Sequence, residues 1–439
     1  LQESANIGMQ LVLELSLTTL PGALVIWSFS NWYLQQRGEQ QIGRALDASL
    51  AAALSDFAVL GFAAAWVTLL LTSVLSCLFL RLTRTYPGIL ASSSLAGSLV
   101  LYRLRKMDQI QRLWSWSIMG QYLRSLAGIR YSRTGGSECD AMFNLLPELV
   151  NADAQVFWAQ GCFSNVVEQD HGYLLLRATD QGSNFFVGNN AVIERGTLPD
   201  NLLVGVSTPA SDIGFRRQLR TRENRALIVG GNPPLQFGEA GTSTDTLYDR
   251  LPNAGLFLAR VLLNDVLRVA LLPSAVVLIV ALITTMLVFH GFSEPLSAVI
   301  AVVLAETAVV ILAIIVKRIL VGPRWGRDHQ TPFWSLRHFV YFFAQDCFSS
   351  WCAGPFRVLE GTLLSNPLLR GFGCRIGRHA LMNSPMQAFD WNAVDIGDNC
   401  VVDGMLQLHS FEHGRLKVRA SSLGDHSTLS MGATLMGGA

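Results

Sequence analysis

Apolar runs without charge constrain this chain before any other feature does. Phe57 to Leu80 supplies 24 residues with no charge, Val269 to Phe289 supplies 21, and Leu296 to Val316 supplies 21 broken only by Glu306. A bilayer core takes roughly 20 apolar residues as helix, so each run is long enough to span it. A fourth run, Met9 to Phe29, contains Glu14 and Pro21 but leads into Trp27, Trp32 and Tyr33, which suit an aromatic belt. Only 15% of the 439 residues are charged, against about a quarter in ordinary soluble domains, and the deficit is concentrated in these runs. Four spans in two pairs are expected. The net charge of +1 gives no basic field for nucleic acid.

Basic residues set the orientation. Arg81, Arg84, Arg103, Arg105, Lys106 and Arg112 follow the second run, Arg260 and Arg268 precede the third, and Lys317, Arg318, Arg324 and Arg327 follow the fourth. The short loop His290 to Pro295 has neither Lys nor Arg. The positive-inside rule then puts both long segments in the cytoplasm, outweighing Arg37 and Arg44 in the first loop. Mid-span Glu306 reads either as a polar lining of a path between helices or as a neutral, hydrogen-bonded packing residue. Ser98 to Leu126 and the aromatic stretch Phe333 to Trp351 read as surface-lying segments or as amphipathic core helices. Seven scattered cysteines show no metal-ligand spacing and read as reduced thiols. Starting at Leu1 without a basic n-region, the sequence is expected to be a fragment with no signal peptide.

Between and after the runs the pattern changes to a period of six. Ile376 and Met382 are six apart, as are Ile396, Val402 and Leu408, and Leu423, Leu429 and Leu435. Glycine follows several anchors, at Gly377, Gly397 and Gly424. This period is neither helical nor a plain two-residue alternation; it predicts a parallel β-helix with one hexapeptide per face. The step from Leu408 to Leu423 breaks it with an inserted loop that begins at His409. Val150, Val156 and Cys162, then Val187 and Ile193, repeat the rule in a more degenerate form.

This layout resembles the C-terminal region of the ε-poly-L-lysine synthetase family of membrane nonribosomal peptide synthetases. The residues that carry the resemblance are Phe186 to Ile193 with Leu203 to Ser207, Gly231 to Pro234, and above all Val394 to Cys400, Gln407 to Glu412 and Leu423 to Leu429. It implies spans alternating with hexapeptide domains similar to trimeric acyltransferases, which join an aminoacyl thioester to an amine. The adenylation and carrier domains of that family are absent here, as is a third hexapeptide domain.

The expected fold is membrane α-helical spans plus two left-handed parallel β-helix domains. Its expected divisions are a transmembrane pair (1–80), connecting helices (81–144), a degenerate hexapeptide domain (145–210), a return segment (211–264), a second pair (265–320), an interfacial segment (321–372) and a truncated hexapeptide domain (373–439). The expected localisation is a multi-pass integral membrane protein with cytoplasmic domains.

The implied chemistry is amine attack on an activated acyl group. Histidine suits the base because its pKa lies near neutrality. His409 is the candidate base, with Glu412 to orient it; the alternative is a coil-corner cap. Arg415 and Lys417 are candidate substrate-binding residues for a phosphopantetheine-carried donor or a carboxylate, or simply a solvated face. His426 after Asp425 reads as structural, and Asp170-His171 as a degenerate, non-catalytic equivalent. No cofactor is expected to bind directly. The expected partners are the lipid bilayer, a carrier protein or domain, and other hexapeptide domains in trimer-like packing. A non-catalytic scaffold and a product-export conduit lined by Glu306 are the rival readings.

Overall fold

The computed structural model describes residues 50–114, 117–131, 142–152, 156–159, 161–183, 185–193, 195–209, 225–230, 235–241, 290–322, 329–332, 335–383, 390–412 and 415–438, with scattered positions within 9–28 and 258–287. The chain divides into two compact units, Leu1–Tyr248 and Asp249–Ala439.

In the first unit a long helix, α1 (Leu50–Leu82), leads into the strand Gly88–Ala91 and helices α2 (Leu95–Leu113) and α3 (Ile118–Ala127). Each shorter helix starts on a serine whose hydroxyl accepts a first-turn N–H, Ser94 from Gly97 and Ser117 from Gly120. Such caps satisfy donors that the helix itself cannot. After α2, the buried Trp114 donates from Nε1 to Ser73 Oγ of α1 at 2.9 Å. Short parallel strands follow, with Phe157, Phe186, Leu203 and Ile228 in register across one sheet. The six-spaced Val150, Val156, Cys162, Val187 and Ile193 are all buried. A hairpin, Val167–Asp170 with Tyr173–Leu176, turns back antiparallel and pairs with Gly88–Ala91.

The second unit repeats this order. Helix α4 (Glu294–Leu320) leads into the strand His329–Pro332, then α5 (Leu336–Trp351), α6 (Ala353–Leu359) and α7 (Ser365–Gly371). Every fourth residue of α4 from Ser297 through Ala301, Ala305, Val309 and Ala313 to Lys317 is buried, while Val299, Val303, Ile311, Ile315 and Ile319 are exposed. Small side chains at helical spacing let a neighbouring helix approach closely. The far end of α4 is tied down by Arg318, whose Nε donates to Gly371 O at 2.9 Å. Within α5, Phe348 packs against Phe356, Phe372 and Trp391 at ring distances of 5.3, 4.8 and 5.8 Å. The aromatic stretch is thus a core helix.

Strands then pair in parallel: Ile376, Ile396 and Leu423 in one sheet, Met382, Val402 and Leu429 in a second, and Leu406 with Leu435 in a third. The inserted loop is a hairpin, His409–Glu412 with Arg415–Val418, and it pairs antiparallel with His329–Pro332.

Two expectations are corrected here. The described strands form several short parallel sheets joined to antiparallel hairpins and packed helices, and closed β-helix domains are not formed. A period of six sets which residues face inward and where the chain turns, but it does not determine whether successive turns close. Among the described residues one helix, Val299–Leu320, is long and apolar enough to cross a membrane. The run Phe57 to Leu80 lies within the 33-residue helix α1, of which the side chains before Ala64 lie outside the described residues. The runs Met9 to Phe29 and Val269 to Phe289 fall largely outside the described residues.

Close backbone stacking makes two of the anchor-following glycines, Gly377 and Gly397, sensitive. A Cβ on Gly397 would sit 2.6 Å from the backbone nitrogen of Asp425, whereas one on Gly424 would meet nothing nearer than Ser427 Oγ at 3.9 Å. Gly397→Ala is therefore expected to cost about 1–3 kcal/mol by overpacking, and Gly424→Ala little. Thermal unfolding of the two variants checks this.

Candidate active site

His409 opens the hairpin of the second unit directly after the buried Leu408. Its register partner is Val418, and both side chains are buried. His409 Nδ1 lies 2.7 Å from Asp390 Oδ2, with the carboxylate fully buried and the imidazole only 7% exposed. Asp390 immediately precedes the short 3-10 helix Trp391–Ala393, so the carboxylate comes from a turn held by the buried Trp391. Its other oxygen accepts from Gln345 Nε2 of α5 at 3.2 Å, and the same amide donates to Tyr341 Oη at 3.2 Å. Gln407 Nε2 donates to the His409 carbonyl at 3.0 Å, fixing the backbone beneath the ring. The edge of Phe342 covers the imidazole at 6.4 Å. A buried carboxylate at Nδ1 sets the tautomer and orientation of the ring and leaves proton exchange to Nε2.

Lys317 is buried at the end of the small-residue stripe of α4. Its ammonium is 5.8 Å from the centre of the Phe372 ring and within electrostatic reach of Asp390. Farther up α4, Glu306 faces protein: its charge acts on Cys352, whose thiol is pushed up to about 12 by burial first and by that carboxylate second.

The structure separates His409 from the other residues singled out in the sequence. Across an antiparallel ladder, opposed residues share a face and the face alternates along each strand. His409 with Val418 and Phe411 with Leu416 form one set; Ser410 with Lys417 and Glu412 with Arg415 form the other. Leu416 and Val418 are buried and Arg415 is exposed, so the His409 face is the inward one. The carboxylate in contact with the imidazole is that of Asp390, and the side chain of Glu412 lies outside the described residues. Arg415 and Lys417 lie away from the imidazole. His426 sits in an exposed turn at φ 59°, its N–H donating to Asp398 O at 2.8 Å. His171 lies in the exposed turn of the first hairpin, where its Nδ1 meets the carboxylate of its neighbour Asp170.

Register defines the matching positions in the first unit. In each unit the outermost hairpin pair aligns with the first residue of the edge strand: His409 and Val418 with His329, Val167 and Leu176 with Gly88. Val167 therefore stands where His409 does. Leu146 precedes the 3-10 helix Pro147–Leu149 as Asp390 precedes its own, and Leu104 lies as far beyond Ser94 as Gln345 lies beyond Ser335. All three replacements are apolar and buried.

The fold is thus a twofold repeat in which one copy holds a buried carboxylate–imidazole pair and the other fills the same positions with aliphatic side chains. No family model matches the chain. It is similar to the delta-poly-L-ornithine synthetase of Acinetobacter baumannii (strain AB307-0294), a poly-amino-acid synthetase, at 24% identity over 306 residues. That match covers 66% of this chain and 22% of the relative, so the chain corresponds to about a fifth of that protein.

Proposed function

We propose that this chain is the membrane-attached, amide-bond-forming part of a peptide synthetase-like protein, with His409 as general base. The observation that carries this reading is the buried His409–Asp390 contact of 2.7 Å. The similarity to a poly-amino-acid synthetase supports the reaction class, and the outward apolar face of α4 supports attachment to a bilayer.

In the proposed step an amine nitrogen attacks the carbonyl carbon of an acyl thioester, delivered on the phosphopantetheine arm of a carrier domain. The C–N bond forms and the C–S bond breaks. His409 Nε2 takes the proton from the attacking nitrogen and returns it to the departing thiolate, so no outside acid, base or oxidant is consumed. Asp390, at Nδ1, orients the ring and stabilises the imidazolium formed on the way. The first unit, with Val167, Leu146 and Leu104 at the matching positions, serves this reading as a non-catalytic scaffold.

The test uses the full-length protein in membranes, with amide product measured by mass spectrometry. Asp390→Asn keeps the shape of the side chain and removes its charge. Product formation is expected to fall about tenfold or more with the fold retained. Equal turnover would remove the pair from the mechanism.

A further inference from the structure

A buried side-chain amide that pairs at one end only calls for explanation. Gln345 of α5 is 5% exposed, and its Oε1 has no hydrogen-bond partner among the described residues. Its Nε2 donates twice, to Asp390 Oδ1 and to Tyr341 Oη, each at 3.2 Å. Turned over, the amide would let Oε1 accept from the tyrosine hydroxyl, but would set that oxygen against the Asp390 carboxylate, acceptor against acceptor. A buried acceptor left unpaired is costly, so the amide keeps a donor on Asp390 at the expense of its own oxygen.

We propose that Gln345 is a positioning residue for the His409–Asp390 pair: its N–H holds Asp390 Oδ1 and so keeps Oδ2 aimed at His409 Nδ1. A carboxylate turns about its Cβ–Cγ bond, and a single contact leaves that turn open. With Oδ1 on Gln345 and Oδ2 on His409 at 2.7 Å, the plane of the group is fixed from both sides. Asp390 is fully buried, so no bulk water stands ready to replace the amide. Without Gln345 the carboxylate would turn toward other donors, loosening the ring whose Nε2 takes the proton in the proposed step. Helix α5 gives the amide a firm base. Gln345 sits one turn after the buried Tyr341, and Phe348, farther along the same helix, packs on Trp391, the residue that follows Asp390. The first unit agrees with this role. It carries Leu104 at the position of Gln345, Leu146 at that of Asp390 and Val167 at that of His409, so the amide is present only in the copy that has a carboxylate to hold.

This inference rests on the catalytic reading above, and the experiment separates the two. The rate of amide formation per folded full-length protein in membranes is compared for the wild type, Gln345→Met, Asp390→Asn and the double variant. Gln345→Met keeps the length of the side chain and removes its donor; the rate is expected to fall about tenfold, the scale of one hydrogen bond to a charged group. In the Asp390→Asn background the same substitution is expected to change the rate by no more than about twofold, because residues that act through one another are not additive. Gln345→Asn, which keeps an amide but is one methylene too short to reach Oδ1, is expected to follow the same pattern. A purely structural glutamine would lower the rate by the same factor in both backgrounds, and that result overturns the proposal, as does a wild-type rate in Gln345→Met. A wild-type rate in Asp390→Asn overturns the catalytic reading instead, and this inference falls with it.

Discussion

His409→Ala is expected to lower amide formation by about 10²–10⁴-fold, the range typical of losing a positioned general base. The expectation is specific to one nitrogen on one ring. Asp390 Oδ2 engages Nδ1 at 2.7 Å, so the alanine variant removes the ring whose Nε2 takes the proton in the proposed step. Stability is expected to fall as well, because the buried Asp390 carboxylate loses its partner, so the rate is normalised to folded protein. Two controls sharpen the result. His171→Ala, in the exposed turn of the first hairpin, and His426→Ala, in an exposed turn of the second unit, are each expected to leave turnover within about twofold, the scatter of surface substitutions within about ±0.5 kcal/mol. Product yield against time in membranes decides the matter. Wild-type rates in His409→Ala would end the case for a histidine base.

The membrane-compatible helix and the inward anchors were legible in the sequence, since both are patterns of apolar residues with a fixed period. Ile376, Ile396 and Leu423 stand in register as a period of six requires of inward positions. Closure was not legible, because the inserted stretch after Leu408 has its own antiparallel partner at His329–Pro332 and a six-residue count cannot see a pairing that distant. His409 stood out because it opens that insert. Its true carboxylate did not, for Asp390 is 19 residues earlier and belongs to a different element. Glu412 was the natural choice on proximity in the sequence, and its side chain lies outside the described residues. One signal was available. Aligning the two copies on their serine caps and hairpins shows Leu104, Leu146 and Val167 opposite Gln345, Asp390 and His409, three apolar positions that turn polar together. Within a repeat, simultaneous departures of that kind mark a site better than any one residue does.

The same comparison singles out the second large effect, which falls on the first unit. Arg103 of α2 is fully buried and grips Glu148 with both guanidinium nitrogens, Nη1 to Oε1 at 2.6 Å and Nη2 to Oε2 at 2.7 Å. Nη2 also donates to Leu80 O at 2.9 Å, Nη1 meets Thr85 Oγ1, and the Thr85 N–H donates to Glu148 Oε1 at 2.8 Å. One ion pair thus joins the end of α1, the middle of α2 and the 3-10 helix Pro147–Leu149. Bidentate geometry makes such a contact strong, and its removal from one side leaves a buried charge uncompensated. Arg103→Ala and Glu148→Ala are each expected to destabilise the first unit by about 3–5 kcal/mol. Replacing both partners with apolar residues of similar size should recover much of that loss, since the desolvation of both charges is then avoided. In the second unit the matching positions are Ala344 and Asn392, counted from Ser335 and from the 3-10 helix, so no equivalent contact exists there to be lost. Hydrogen exchange on the full chain reads this directly. Protection should fall across residues 80–113 and 147–152 in either single variant while residues 336–351 and 394–412 keep theirs. Loss of protection spread evenly over both units would show that Arg103 and Glu148 do not act as a local tie.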